Sequence, residues 1–140
     1  MMNLGITADP AALAAYEDLK MRSNKRYVVF KIENSHVVVD FDGAPEATIQ
    51  DLLERLPAQE PRYVLFKYPM PLGERGVVDR MCFMMYVPQG TPVRMRTIYP
   101  GNARPFKSAL TGIQHELEVD RSTLVDADIQ EKLRKTITDA

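Results

Sequence analysis

Residues 81–87 form an uninterrupted apolar run, Met-Cys-Phe-Met-Met-Tyr-Val, at the end of a segment predicted to be a strand, residues 77–87. A strand with one face in water alternates apolar and polar residues, whereas a strand covered on both faces is apolar throughout. The run is far shorter than the roughly 20 residues that a membrane-spanning helix needs. It therefore predicts a central strand in a sheet with helices packed on both faces.

Helix and strand patterns alternate along the rest of the chain. Apolar residues at helical spacing predict a helix from Asp9-Pro10, a second from Ile49 to Leu56, a third over residues 106–113 that ends at His115, and a terminal helix with Ile129, Leu133 and Ile137. Strands are predicted at residues 26–32, 36–41, 62–68 and 116–119. The turn residues Glu33-Asn34-Ser35 predict a hairpin between the first two strands, and the Pro- and Gly-rich residues 69–76 predict a loop. This order indicates one α+β domain that spans residues 1–140.

The single cysteine among the 140 residues makes an internal disulfide impossible, so a reducing compartment, the cytoplasm, is expected. Residues 1–15 have neither the basic start nor the apolar run of a signal peptide, and no transmembrane segment is predicted. The net charge of −1 argues against binding of nucleic acid over a broad surface.

Residues with catalytic or metal-binding potential are sparse. His36 and His115 are the only histidines, and neither has metal-ligand spacing to another His or Cys. Cys82 lies inside the apolar run, where a core role is favoured over a reactive thiol. The sequence has no glycine-rich phosphate loop and no nucleophile elbow. We therefore expect a protein that is not an enzyme and needs no cofactor; a small enzyme with a site at His36 or His115 is the alternative.

Charge is distributed unevenly along the chain. Residues 81–115 contain no Asp or Glu, and they include four basic residues, Arg94, Arg96, Arg104 and Lys107. A local basic surface of this kind suits an acidic protein partner. From charge alone, scattered solvated side chains are the favoured explanation of this pattern.

Several segments resemble the actin-depolymerising factor/cofilin family. The most specific segment is Tyr-Val-Pro-Gln-Gly-Thr-Pro-Val-Arg-Met-Arg-Thr-Ile-Tyr at residues 86–99, where two prolines precede a pair of basic residues. Residues 107–117, the opening Leu4-Gly5-Ile6 and residues 26–32 extend the resemblance over the whole chain. The family fold is a mixed sheet of about five strands packed between helices. The resemblance implies a monomeric protein that binds actin monomers and filaments and severs and depolymerises filaments.

The resemblance also implies two binding surfaces. The first contacts both monomers and filaments and corresponds here to Leu4, Gly5, Ile6, Arg94, Arg96, Ala103, Arg104 and Lys107. If their segment is extended, Arg94 and Arg96 project to the same side and offer two guanidinium groups to carboxylates. The second surface contacts filaments only and corresponds to Arg80, Glu131, Lys132, Arg134 and Lys135.

Other readings stay open inside the same fold. The chain also resembles glia maturation factor, which binds the actin-related-protein branching complex, although the paired arginines favour actin. Phosphoinositide headgroups are a further candidate ligand for the basic residues. Leu4 stands where many relatives have a regulatory serine, so that switch is expected to be absent. Asn102 is expected to cap the third helix, with Pro105 in its first turn.

Overall fold

A computed structural model describes residues 5–137, which form one six-stranded mixed sheet with helices on both faces. In chain order the elements are β1 (Thr7–Ala8), α1 (Pro10–Met21), β2 (Tyr27–Glu33), β3 (His36–Gly43), α2 (Ile49–Arg55), β4 (Arg62–Pro71), β5 (Val77–Tyr86), α3 (Val93–Ser108), β6 (His115–Val119) and α4 (Asp126–Ile137). The strands lie in the order β1-β3-β2-β4-β5-β6. The outer pairs β1–β3 and β5–β6 are parallel, and the inner pairs are antiparallel.

The apolar run in β5 is covered on both faces, as its sequence predicts. Met81, Phe83 and Met85 belong to the core layer that α1 and α3 cover. Cys82, Met84 and Tyr86 belong to the opposite layer, under α2 and α4. Burying each such side chain contributes roughly 1.5–3 kcal/mol to stability. Both core layers therefore hold β5 in place.

The turn between β2 and β3 was correctly predicted from its residue types. Asn34 and Ser35 both have positive φ, 52° and 65°, as a two-residue type I′ hairpin requires. This turn fixes the register in which Glu33 lies opposite His36.

The third helix differs most from the prediction. It begins at Val93, directly after Pro92, and ends at Ser108, so Asn102 and Pro105 lie in its interior rather than at its start. Pro100 and Pro105 are both exposed, so the hydrogen bonds that they cannot form lie on the solvent side of the helix, where water can bind the freed carbonyls. Asn102 is buried and donates from Nδ2 to the carbonyl of Ile98 instead of capping.

Three smaller differences remain. The short parallel strand β1 was not predicted and brings the strand number from about five to six. The predicted loop at 69–76 contains the end of β4 and a short 3₁₀ turn, Gly73–Arg75. His115 begins β6 and does not end a helix. No helix within residues 5–137 is long and apolar enough to cross a membrane.

Candidate functional site

The first candidate surface, called the α3 surface below, consists of Arg94, Arg96, Ala103, Arg104 and Lys107 on α3. The buried residues of α3 are Tyr99, Asn102 and Phe106, spaced so that one side of the helix packs on the sheet. Most of the α3 surface lies on the remaining, solvent-facing positions. The basic residues of the acid-free window are therefore displayed along one helix.

The prediction that Arg94 and Arg96 project together from an extended segment is wrong, because both residues are in α3. Residues two apart in a helix are separated by about 200° around its axis, so the two arginines lie on opposite flanks of the exposed face. Arg104 lies two turns further on, about 80° from each of them. The three guanidinium groups thus spread across the whole exposed face.

These guanidinium groups are available to a partner. Arg94, Arg96 and Arg104 are exposed, and none of them makes a hydrogen bond or ion pair with any residue between 5 and 137. An arginine already bound to an acid of its own domain would have to break that contact before docking. The α3 surface has no such contact at these three positions.

Lys107 and Ala103 are less available than the arginines. Lys107 forms an ion pair with Glu116 of β6, and its side chain is 25% exposed. Ala103 is half-buried and packs against the core layer under α3. These two residues form the margin of the α3 surface on the side that faces β6.

The N-terminal candidates are only partly described. Leu4 lies outside the described residues. Gly5 is exposed, with φ of 73°. Ile6 is half-buried and lines a groove together with Pro105 and Phe106 of α3. The structure therefore brings Ile6 to the end of α3 that lies beyond Arg104.

Two tyrosines hold α3 against the sheet, and sequence reasoning missed their role. Tyr99 accepts a 2.9 Å hydrogen bond at its hydroxyl from the backbone N–H of Ile32. The hydroxyl of Tyr63 donates a 2.6 Å hydrogen bond to the carbonyl of Tyr99. Burial raises the pKa of Tyr63 well above its usual value, so this donor stays protonated. In the sequence, Tyr99 stands out only because it lies three residues after Arg96, at the end of the segment 86–99.

The second candidate surface, called the α4 surface below, consists of Arg80, Glu131, Lys132, Arg134 and Lys135. The Nε of Arg80 donates a 2.9 Å hydrogen bond to Nε2 of His115, so Nε2 must be the acceptor and the ring proton lies on Nδ1. That Nδ1 lies 2.9 Å from Oγ1 of Thr136, which donates in turn to the carbonyl of Leu133. A chain of hydrogen bonds thus joins β5, β6 and α4.

This chain of hydrogen bonds requires a neutral imidazole. Burial and, to a lesser extent, the charge of Arg80 lower the pKa of His115 below its ordinary value. Protonation of Nε2 would replace the acceptor of Arg80 with a second positive donor. The position of Arg80 therefore depends on an unprotonated His115.

The rest of the α4 surface is only partly assembled around His115. Lys132 and Lys135 line a groove of about 600 Å³ together with His115 and Thr136. Lys132 donates to the carbonyl of Glu118 at 3.3 Å. Glu131 and Arg134 are exposed, but Arg134 lies on the opposite flank of α4, because it is two residues from Lys132. The structure thus brings Lys132 and Lys135 to one groove, connects Arg80 to that groove through His115, and leaves Arg134 apart from them.

Comparison with known proteins identifies the family. The sequence profile of the cofilin/tropomyosin-type actin-binding proteins matches residues 5–134. The chain belongs to this cofilin/actin-depolymerising factor family.

Individual members of the family are similar over nearly the whole chain. Actin-depolymerizing factor 7 of Arabidopsis thaliana is 30% identical over 125 residues, 89% of this chain and 91% of that protein. Actophorin of Acanthamoeba castellanii is 28% identical over 136 residues, 95% of this chain and 98% of that protein. The crystal structure of Streptomyces griseoflavus cofilin superposes with a TM-score of 0.82 at 21% identity, covering 91% of this chain and 98% of that one. The last likeness confirms the predicted cofilin fold.

The carboxylates of β6 do not point at the imidazole of His115. Side chains alternate along β6, so Glu116 and Glu118 project to the face opposite His115. Both ring nitrogens of His115 already have partners. Burial raises the pKa of Cys82 to about 12, which keeps this thiol protonated. Within residues 5–137, no group of three or more His, Cys, Asp and Glu could hold a metal ion.

Proposed function

We propose that this chain binds actin monomers and filaments and promotes the severing and depolymerisation of filaments. Membership of the cofilin family supports this function, as do the names of the relatives that are actin-depolymerizing factors. The observation on which the proposal depends is that three guanidinium groups without a partner among residues 5–137, those of Arg94, Arg96 and Arg104, spread across the exposed face of one well-anchored helix. The chain acts by binding and not by catalysis.

The α3 surface would contact carboxylates on both forms of actin. A guanidinium group forms two parallel hydrogen bonds with a carboxylate, and arginine is enriched among the residues that dominate binding energy at interfaces. The hydrogen bonds of Tyr99 hold the helix before the partner arrives, so little backbone ordering is needed on docking. Leu4, Gly5 and Ile6 extend this contact at the N-terminal side, and Ala103 and Lys107 border it.

The α4 surface would add a contact that only filaments offer. Lys132 and Lys135 line one groove, and Arg80 is bonded to His115 in the wall of that groove. Glu131 and Arg134 extend the charged face of α4. If the combined surfaces bind a twisted filament more tightly than a relaxed one, binding shifts the filament toward the twisted state. Severing follows at boundaries between the two states.

Further features follow from the family and the charges. We place the protein in the cytoplasm with the actin cytoskeleton, as a monomer that needs no cofactor. Phosphoinositide headgroups would compete with actin for the arginines of α3, because a phosphate offers the same bidentate partner as a carboxylate. The branching-complex alternative has less support, because the matching profile and the curated relatives are cofilins and actin-depolymerising factors.

Cosedimentation with unbranched actin filaments, together with a monomer-binding assay, tests the proposal. The Arg94→Ala/Arg96→Ala double variant should lose at least about tenfold in affinity for both actin forms, since buried arginine contacts are often worth about 2 kcal/mol. An Arg22→Ala/Lys25→Ala variant also removes two positive charges, but from residues outside α3, and it should bind both actin forms normally. The proposal would be overturned if the wild-type protein did not bind unbranched filaments. It would also be overturned if the double variant bound actin as tightly as the control variant.

A further inference from the structure

Strand β6 lies at the edge of the sheet and leaves part of its backbone unpaired. Its only strand partner within residues 5–137 is β5. The carbonyl of Val119 accepts from the N–H of Val87 in the chain segment after β5, so the peptide groups of Val119 face inward. The carbonyl of Glu118 instead accepts from the side chain of Lys132. Because peptide groups alternate along a strand, the backbone groups of Glu116 and Glu118 face away from the sheet.

A groove lies beside this edge on each face of the sheet. On the α4 face the groove of about 600 Å³ contains His115, Lys132 and Lys135. On the α3 face a groove of about 320 Å³ has an apolar floor that includes Phe83 and Val87. Both grooves include residues 116–118 of β6. A strand added to β6 would therefore place its alternate side chains in two different environments.

We propose that β6 is a docking edge for an extended peptide that alternates acidic and apolar side chains and adds to the sheet as a seventh strand. This inference does not depend on actin binding. In strand addition the main-chain hydrogen bonds provide affinity, and pockets for alternate side chains provide specificity. Here the backbone donors and acceptors of Glu116 and Glu118 pair with the peptide, the Glu118 carbonyl after Lys132 has left it. The unequal grooves select the sequence of the peptide.

Charge decides which side chain enters which groove. Lys132 and Lys135 attract an acidic side chain on the α4 face. On the α3 face Glu116 already pairs with Lys107, and the carboxylate of Glu118 has no partner among residues 5–137. That groove therefore repels an acidic side chain, and its floor at Phe83 and Val87 accepts an apolar one. The ammonium group of Lys132 leaves the Glu118 carbonyl for the incoming carboxylate, and the carbonyl becomes free to accept from the peptide.

Charge also excludes a second copy of this chain as the occupant. Two β6 strands paired edge to edge would bring Glu116 and Glu118 of one copy beside the same residues of the other. Like charges directly across paired strands are destabilising. A foreign peptide with apolar residues on that face avoids this repulsion.

The experiment uses the whole chain and a capped hexapeptide that alternates aspartate and leucine. Titration is followed by amide NMR, and hydrogen exchange is measured at residues 116 and 118. We expect saturable binding, with protection of the amides of Glu116 and Glu118. A peptide of the same composition with its aspartates grouped at one end should bind at least about tenfold more weakly, since it cannot fill both grooves correctly.

Backbone methylation separates strand addition from simple charge attraction. All aspartates of an extended peptide point their N–H groups to one side, and all leucines point theirs to the other. One peptide is methylated at its aspartate nitrogens and a second at its leucine nitrogens. Strand addition predicts that one of the two loses binding and the other keeps it. Equal binding by both, or binding without protection of Glu116 and Glu118, would refute the proposal.

A pair of protein variants gives the matching control. Glu118→Pro removes an outward N–H and leaves every hydrogen bond to β5 in place. An edge strand tolerates proline at a position whose N–H faces away from the sheet. Glu118→Ala removes the same carboxylate and keeps the N–H. We expect Glu118→Pro to bind the peptide up to about tenfold more weakly than Glu118→Ala, as loss of one backbone hydrogen bond implies. Equal affinities in two folded variants would contradict the proposal; if the proline variant unfolds, the methylated peptides decide.

Discussion

The α3 and α4 surfaces differ in what their cations do before any partner arrives. On α3, Arg94, Arg96 and Arg104 have no partner among residues 5–137. On the α4 surface, Arg80 is bonded to His115 and Lys132 to a backbone carbonyl. A free guanidinium group docks without breaking an internal bond, whereas Arg80 must exchange one partner for another. We therefore expect the α3 surface to bind on its own and the α4 surface to strengthen binding that the α3 surface has already made.

The largest expected effect comes from releasing α3 from the sheet. Tyr99→Ala removes a buried ring and leaves the N–H of Ile32 without a partner, which should lower the free energy of unfolding by about 3–5 kcal/mol. Urea unfolding measures this loss. Tyr99→Phe keeps the ring and removes only the hydroxyl, so it should cost about 1–3 kcal/mol.

These two variants also test whether anchoring matters for docking. At temperatures where Tyr99→Phe stays folded, its affinity for monomers should fall, because α3 would be less well positioned. A folded Tyr99→Phe with unchanged stability would show that the bond to Ile32 does not hold the helix. In that case the anchoring of α3 by Tyr99 would not explain why the α3 surface is ready to bind before the α4 surface.

Much of the fold was accessible from the sequence, and α3 shows where sequence reasoning failed. The apolar run of β5 and the Asn34-Ser35 turn each have a local physical cause, so both were predicted correctly. Pro100 and Pro105 argue locally against a helix, yet α3 includes both. What overrides them is tertiary: the rings of Tyr99 and Phe106 pack 5.3 and 5.4 Å from that of Tyr63, which is distant in sequence.

The same limit applies to the candidate surfaces. The residue types of the acid-free window indicated a basic surface, but the arrangement of Arg94 and Arg96 depended on a helix that the local pattern did not reveal. The bond between Arg80 and His115 joins two strands 35 residues apart in sequence, and nothing in either segment predicts it. Tertiary structure determines which surface cations have partners within the domain. The sequence therefore predicted that these residues are charged but not which of them are already bonded.

The next largest effect should fall on filaments alone. Arg80→Ala/Lys132→Ala removes two cations from the α4 surface and should weaken filament binding about tenfold, or about 1.4 kcal/mol, while monomer binding stays unchanged. Cosedimentation and a monomer assay measure the two affinities. Arg134→Ala, on the opposite flank of α4, provides a comparison with a smaller expected loss. Equal loss toward monomers and filaments would show that the two surfaces do not act separately.

A smaller effect should appear as a dependence of stability on pH. The folded-state pKa of His115 is lowered, so below the ordinary histidine pKa of about 6.5 the unfolded chain takes up a proton that the folded chain does not. The contribution of His115 to stability is therefore complete above that pH and declines as the pH falls toward the folded-state pKa. Urea unfolding from pH 7.5 to 5.5 measures this decline.

The variant His115→Gln isolates the imidazole in that experiment, because it retains every carboxylate of the chain. The free energy of unfolding should fall more steeply with acidification in the wild type than in this variant. Parallel pH profiles would mean that His115 is not held neutral by the fold. Arg80 would then not have to break a stable internal bond before it contacts a partner. The cations of the α3 and α4 surfaces would differ less in their availability than the hydrogen bonds indicate.

The smallest effect is expected inside the α3 surface, at its border with β6. Lys107 is paired with Glu116, and surface ion pairs typically contribute about 0–1 kcal/mol, so Lys107→Ala should change stability little. Its effect on actin affinity should be below about threefold, because the ammonium group must leave Glu116 before it contacts a partner. Arg104→Ala, at an unpaired cation three residues away, should cost more. If Lys107→Ala proves the more damaging of the two, the presence of an internal partner does not decide which cations bind actin, and position along α3 does.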